Sequence, residues 1–154
     1  EKKSNGINNL DQKKFKKSLM VQKGVMTKRK PTEEQLIDIE YGYKTAKQMG
    51  QLDIGQSVVM KDRMILAVEA IEGTDRCIKR GAKLARKKGA VVVKVAKPKQ
   101  DKRFDIPAVG LKTLKTMKRY GADVLALESL ETNMVEQQEM IKFADRNNMI
   151  IMAF

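Results

Sequence analysis

Two stretches of the chain read as strand patterns that run into tight clusters of charge. GQSVVMKDRMILAVEAIEGTD covers residues 55–75, and VVVKVAKPKQDKRFDIPAVG covers residues 91–110. In the first, apolar runs at 57–60 and 64–68 flank Lys61-Asp62-Arg63, the length and composition of a hairpin turn. In the second, 91–95 is an almost unbroken apolar run, the signature of a strand buried on both faces. Between and after them lie helical periods. Residues 32–49 space Leu36, Ile37, Ile39, Tyr43, Ala46 and Met49 as one helix, opened by Pro31 and the acids Glu33 and Glu34 and stopped by Gly50. A second helix runs from Thr74 or Asp75, either of which can cap it, to about Lys88, with Ile78, Gly81, Ala82 and Ala85 as its packing face. Residues 110–120 form a third helix ended by Gly121, and 136–147 a fourth. Strands at 124–127 and 149–154 complete the pattern.

Strands alternating with helices predict an α/β fold: a mixed, mostly parallel sheet flanked by helices, with the hairpin at one edge and an N-terminal linker helix. The expected organisation is a tail, or the remnant of a preceding domain, over 1–30, a linker helix over 31–50, and a catalytic α/β domain over 51–154. The chain opens on Glu1 with no signal peptide, as a fragment or processed piece does.

Composition narrows the chemistry. The 154 residues include no histidine and one cysteine, so triads that need His and His-ligated zinc fall away. Cys77 can form no internal disulfide, which fits a reducing cytosol, and its place on the buried stripe of a helix makes it a packing residue. No apolar run approaches the ~20 residues of a membrane-spanning helix. The net charge of +13 draws polyanions, but much of the excess falls before residue 31.

In an α/β sheet, ligands gather at the carboxyl ends of the strands. Two loops occupy that position. The loop from Glu69 through Glu72 to Asp75 ends at a helix N-terminus with a glycine, where backbone N–H groups can face an anion. The loop after 91–95 carries Lys97, Gln100, Asp101, Arg103 and Asp105 between Pro98 and Pro107. Asp101 and Asp105 can reach one hard cation, or simply decorate a solvated turn. Arg103 offers a planar fork for phosphate. Lys94 alternates with buried valines, so its ammonium either pairs with Glu69 or Glu72 or serves a phosphate.

DIGQSVVMKD, AVEAIEGTD, VKVAKPKQDKRFDIPAVG and the terminal AD-x3-MIIMAF together resemble the UDP-2,3-diacylglucosamine pyrophosphatases of the LpxI type, which act in lipid A biosynthesis. The resemblance runs from about Pro31 to Phe154 and implies a C-terminal domain whose Rossmann-like N-terminal partner domain is missing. It implies Mg²⁺-dependent hydrolysis of the pyrophosphate of UDP-2,3-diacylglucosamine at the α-phosphorus. The products are UMP and 2,3-diacylglucosamine 1-phosphate, called lipid X. The site would be shared between the two domains. The essential aspartate of the QD-x-RFD stretch maps to Asp105 or Asp101, as catalytic and metal-binding residue. Lys94, Lys97, Gln100 and Arg103 would bind substrate, with Glu69, Glu72 and Thr74 as the facing wall. A cytoplasmic enzyme, peripheral at the inner membrane, with a homodimer as a further partner state, goes with that reading. Glu136 departs from the resemblance, which expects an aspartate helix cap there.

The competing class is a basic nucleic-acid-binding module. Aromatic residues are 5% of the chain and tryptophan is absent, so no stacking platform is evident, and the pyrophosphatase reading is preferred with no nucleic-acid partner.

Overall fold

The computed structural model describes residues 17–86, 88–98 and 106–154. Its nine strands and four helices among those residues follow in chain order. Strands β1 (Ser18–Met20) and β2 (Gly24–Val25) come first, then helix α1 (Glu33–Gln51). The hairpin β3 (Ser57–Lys61) and β4 (Met64–Val68) leads to α2 (Thr74–Leu84). Strand β5 (Ala90–Lys94), β6 (Ala108–Val109), α3 (Leu111–Tyr120) and β7 (Ala122–Leu127) follow. The chain closes with β8 (Asn133–Val135), α4 (Gln137–Arg146) and β9 (Ile150–Ala153).

A six-stranded sheet in the order β2-β9-β7-β5-β3-β4 forms the middle layer. Parallel pairing joins β5 to β7 and β7 to β9, and antiparallel pairs flank this centre on both sides. The fold is α/β and mixed, as the pattern implies, but less parallel than expected: the parallel pairs are β5–β7 and β7–β9 here and β6–β8 in a smaller sheet. That sheet, β1-β8-β6, lies beside the first.

Alternation along the strands sorts the core into two layers. Val58, Met60, Val91, Val93, Val124 and Ile150 pack against Ile39, Ala46 and Met49 of α1. Val59, Val92, Leu125 and Ile151 pack against Ile78 and Ala82 of α2, Leu114 and Met117 of α3, and Met140 of α4. Each such fully buried side chain contributes about 1.5–3 kcal/mol. Glycines let helices approach closely on both faces. A Cβ on Gly42 would meet Val93 at 2.8 Å, and one on Gly81 would meet Val59 at 2.5 Å.

Two boundaries expected from the sequence move. Helix α1, read as a linker, shares a core with β3 and β5 and packs on one face of the sheet. Its capping box, Thr32 with Gln35, fixes its start. Residues 18–25, read as tail, supply β1 against β8 and β2 against β9. Strands of three and two residues with mostly exposed side chains carry no apolar period, which is why the pattern hides them.

The hairpin turn is as compact as its sequence indicates. Asp62 and Arg63 both hold positive φ, 51° and 65°, the conformation that matches strand twist in a two-residue turn. Arg63 N–H donates to Asp38 Oδ1 at 2.7 Å, which ties the turn to α1. Burial raises the Asp38 carboxyl above its usual range.

Candidate functional site

The carboxyl edge of the central strands gathers a polar cluster on the α2 side. It starts with Lys94, the last residue of β5, which is only 7% exposed. The valines before it alternate between the two cores, and its place in that alternation turns it toward α2. The Lys94 ammonium donates to Thr74 Oγ1 at 3.1 Å, and the Thr74 hydroxyl donates to Glu69 Oε1 at 3.2 Å. Ser57 Oγ lies 3.3 Å from the same hydroxyl. A longer bond, 3.5 Å, runs from Lys94 to the carbonyl of Ala108. Lysine and glutamate are thus joined through a hydroxyl, both nearly buried, with Glu69 9% exposed.

Burial pulls the Lys94 ammonium below its usual pKa range, while the charges of Glu69 and Asp75 act in the opposite sense. Asp75 is held by Thr113, whose hydroxyl donates to Oδ1 at 3.1 Å. Neither Thr74 nor Asp75 caps α2. The N-cap is Gly73 at φ 91°, without a side-chain bond, because both side chains are already committed to the cluster.

The cluster takes in some of the residues singled out from sequence and leaves others apart. Glu69, Thr74 and Lys94 come together. Glu72 does not join them; it forms an ion pair with Arg80, whose Nε donates at 3.3 Å, and that bond lowers the Glu72 carboxyl's pKa. Lys97 lies on the same edge, with Nζ 3.1 Å from Asp53 Oδ1. Gln100, Asp101, Arg103 and Asp105 lie outside the described residues. Cys77 is buried, and its thiol is pushed up to about 12 by desolvation, which removes it as a nucleophile. Glu136, the departure noted above, is the N-cap of α4 in the left-handed conformation at φ 52°, without a side-chain cap.

Several polar groups at this edge were not anticipated. Ser57 and Thr113 hold Thr74 and Asp75 in place. Gln56 carries a buried side-chain oxygen with no hydrogen-bond partner among the described residues. At the end of β7, Glu128 accepts from the Ala96 N–H at 2.9 Å and pairs with Lys47 at 3.1 Å. Tyr43 OH donates to the same carboxylate at 3.4 Å. The rule that polar groups at strand carboxyl ends face ligands points to Glu128 from sequence alone; the contributions of Lys47 and Tyr43 require knowing that α1 packs on the sheet.

The described parts of the 91–110 stretch are anchored on both sides of its loop. Glu128 holds Ala96 and Lys47 donates to the Ala96 carbonyl at 3.2 Å. On the far side, Asn133 N–H donates to Pro107 O at 3.0 Å and Lys94 reaches Ala108. Among the described residues no cluster of three or more His, Cys, Asp or Glu side chains is placed to hold a metal ion.

Fold and edge together define an α/β domain whose polar, charge-bearing site lies at the carboxyl ends of its central strands. The family follows from comparison. The sequence model of the LpxI C-terminal domain matches residues 22–152, and the chain belongs to that family. It is 34% identical over 130 residues to the UDP-2,3-diacylglucosamine pyrophosphatase LpxI of Caulobacter vibrioides. The match covers 80% of this chain and 46% of that relative, so the chain spans about half the relative's length. No helix among the described residues is long and apolar enough to cross a membrane.

Proposed function

We propose that this chain is the C-terminal part of an enzyme that hydrolyses the pyrophosphate of UDP-2,3-diacylglucosamine to UMP and lipid X. The observation that carries the reading is the anchoring of Ala96 and Ala108, on either side of the QD-x-RFD stretch in sequence, next to the Lys94–Thr74–Glu69 cluster, in a chain matching the LpxI C-terminal domain. The length the Caulobacter relative has beyond the match leaves room for a second domain. In this reading that domain closes over the same edge and completes the site.

The Lys94 ammonium, with Arg103 and Lys97, neutralises charge on the diphosphate as it shifts between the phosphorus and the departing oxygen. Thr74 and Glu69 hold that ammonium in one place, so it needs no reorganisation when the charge develops. Asp105, or Asp101, orients the attacking water. Gln56 Oε1 is an acceptor for a substrate hydroxyl or a bound water.

Magnesium fits this donor set, because it takes one or two carboxylates and completes its shell with waters and phosphate oxygens. Asp105 and Asp101 would hold it, since Glu69 and Asp75 already accept from threonine hydroxyls. When bound it supplies a Lewis acid to the phosphate oxygens. A cytoplasmic enzyme, peripheral at the inner membrane, suits a substrate with two acyl chains, and the exposed Leu52, Ile54 and Ile71 lie on the two segments next to this edge.

The test is Asp105→Asn in a protein that also carries the region beyond this chain's match. UMP release from UDP-2,3-diacylglucosamine should fall by at least about a hundredfold with an unchanged thermal melt. Wild-type turnover in the folded variant would place the reaction elsewhere.

A further inference from the structure

Helices α2 and α3 pack side by side on one face of the sheet. Each sends out a basic stripe at helical spacing: Arg76, Lys79 and Lys83 on α2, and Lys112, Lys115 and Arg119 on α3. The stripes meet along an open groove of about 310 Å³. Its one carboxylate is Asp75, which is engaged by Thr113. Among the described residues, none of the cations lining it lies in an ion pair. Two like-charged stripes facing each other cost the fold stability, and a polyanionic partner removes that cost.

Ile71, fully exposed, lies four residues before Asp75, where the groove begins. An exposed apolar side chain at the end of a row of lysines and arginines is the composition of a surface that lies on a bilayer interface. A nucleic acid would need a free aromatic face to stack on. The groove's one aromatic ring, Tyr120, is approached by Lys79, Lys83 and Arg119 at 5.5 to 5.8 Å.

We infer that the α2–α3 groove is a docking surface for a bilayer rich in anionic phospholipid. The inference rests on the reading of the substrate as a membrane-borne lipid diphosphate and says which face meets the membrane. The groove begins at Asp75, next to Thr74, so docking brings the bilayer alongside the Lys94 cluster.

The experiment is co-sedimentation of the 154-residue chain with vesicles of phosphatidylglycerol and phosphatidylethanolamine, and with vesicles of phosphatidylcholine alone. Binding to the anionic vesicles should weaken steeply with salt, and the neutral vesicles should not bind. The triple variant Lys79→Gln, Lys112→Gln, Lys115→Gln should lose about fivefold per cation, or about a hundredfold in partition. A control with the same charge loss elsewhere, Lys23→Gln, Lys44→Gln, Lys142→Gln, should lose much less. Equal losses in the two triples, or no binding to anionic vesicles, overturns the inference. So does binding of a random oligonucleotide in place of vesicles, which would assign the groove to nucleic acid. In a protein that also carries the region beyond this chain's match, hydrolysis of detergent-dispersed substrate should be unchanged by the groove substitutions, which separates failure of this surface from failure of the enzymatic reading.

Discussion

Lys94→Met keeps the side chain's length and removes its charge, and it separates what the ammonium does for the fold from what it does for the reaction. The lost bond to Thr74, 3.1 Å long, is one from a charged donor and contributes about 1.5–3 kcal/mol. Against it stands the desolvation of an ammonium that is 7% exposed, a cost of several kcal/mol that methionine does not carry. The relief of desolvation is at least as large as the lost bond, so stability should change by no more than about 2 kcal/mol, or ~8 °C in Tm for a domain of this size, with methionine neutral or favoured. The reaction has no such compensation. A preorganised donor missing from the transition state lowers kcat by about 10²–10³. Initial rates of UMP release, in the longer protein, should therefore fall far more than stability does. The pH dependence supplies a second readout. With its pKa held below the ordinary lysine value of 10.5, Lys94 gives up its proton in the folded state before it does in the unfolded chain. Wild-type stability relative to the variant is therefore lowest below the depressed pKa, and rises with pH until 10.5 is passed. A wild-type kcat in the folded variant would refute the catalytic role. A Tm difference flat from pH 7 to 10.5 would refute the buried, depressed ammonium.

Gly81→Ala drives a methyl group into Val59 at 2.5 Å and should cost about 1–3 kcal/mol by overpacking, read as a lowered denaturation midpoint; an unchanged midpoint means α2 does not lie this close to β3. Native Cys77, with its thiol pushed up to about 12, should resist iodoacetamide at pH 8 and react at once in guanidinium, and rapid native labelling would show that the helix opens. Glu128→Gln weakens the hold on Lys47 and Ala96 and should lower stability by about 1–3 kcal/mol. If the pair acts as one unit, adding Lys47→Met should cost less than the sum of the singles, and strict additivity in a double-mutant cycle would show that the contact carries no coupling.

The sheet and its helices were legible because each element here has one dominant period. Val91–Val95 reads as a strand buried on both faces and is one, with odd and even valines in separate cores. Gly121 reads as a helix stop and adopts the left-handed conformation at φ 93°. Strands β1, β2, β6 and β8 escaped because two or three residues are too few for any period, and their pairing is set by partners far along the chain. The cover helix α1 was visible as a helix, yet its burial was not. Gly42 and Ala46 meet the sheet through small side chains, which a count of large apolar residues overlooks. At the edge, alternation alone made Lys94 a buried cation. Its partner could not be chosen between Glu69 and Glu72, three residues apart on one loop, until Arg80 was seen to occupy Glu72. That Thr74 would mediate rather than cap is likewise a tertiary outcome, since capping is its local preference.

The same edge explains why ionic groups occupy positions that valine or leucine could fill. Lys94 and Glu128 end adjacent parallel strands, and Glu128 N–H donates to the Lys94 carbonyl at 3.2 Å. One side chain reaches forward to Ala108 and the other across to Ala96, so they grip the two flanks of the segment that bears Asp101 and Asp105. An apolar pair would bury more area but would leave the Ala96 N–H without its acceptor, at a cost of about 1–3 kcal/mol. It would also leave both flanks free to shift. Catalysis loses heavily when a reacting group moves by about 1 Å, and directional bonds from two fixed strand ends hold position better than non-directional packing does. The charges are opposite and belong to separate networks, Glu128 with Lys47 and Lys94 with Glu69 through Thr74. Each anchor is thereby near neutrality. The fold thus commits buried polarity to this edge at two points, on either side of the 99–105 segment.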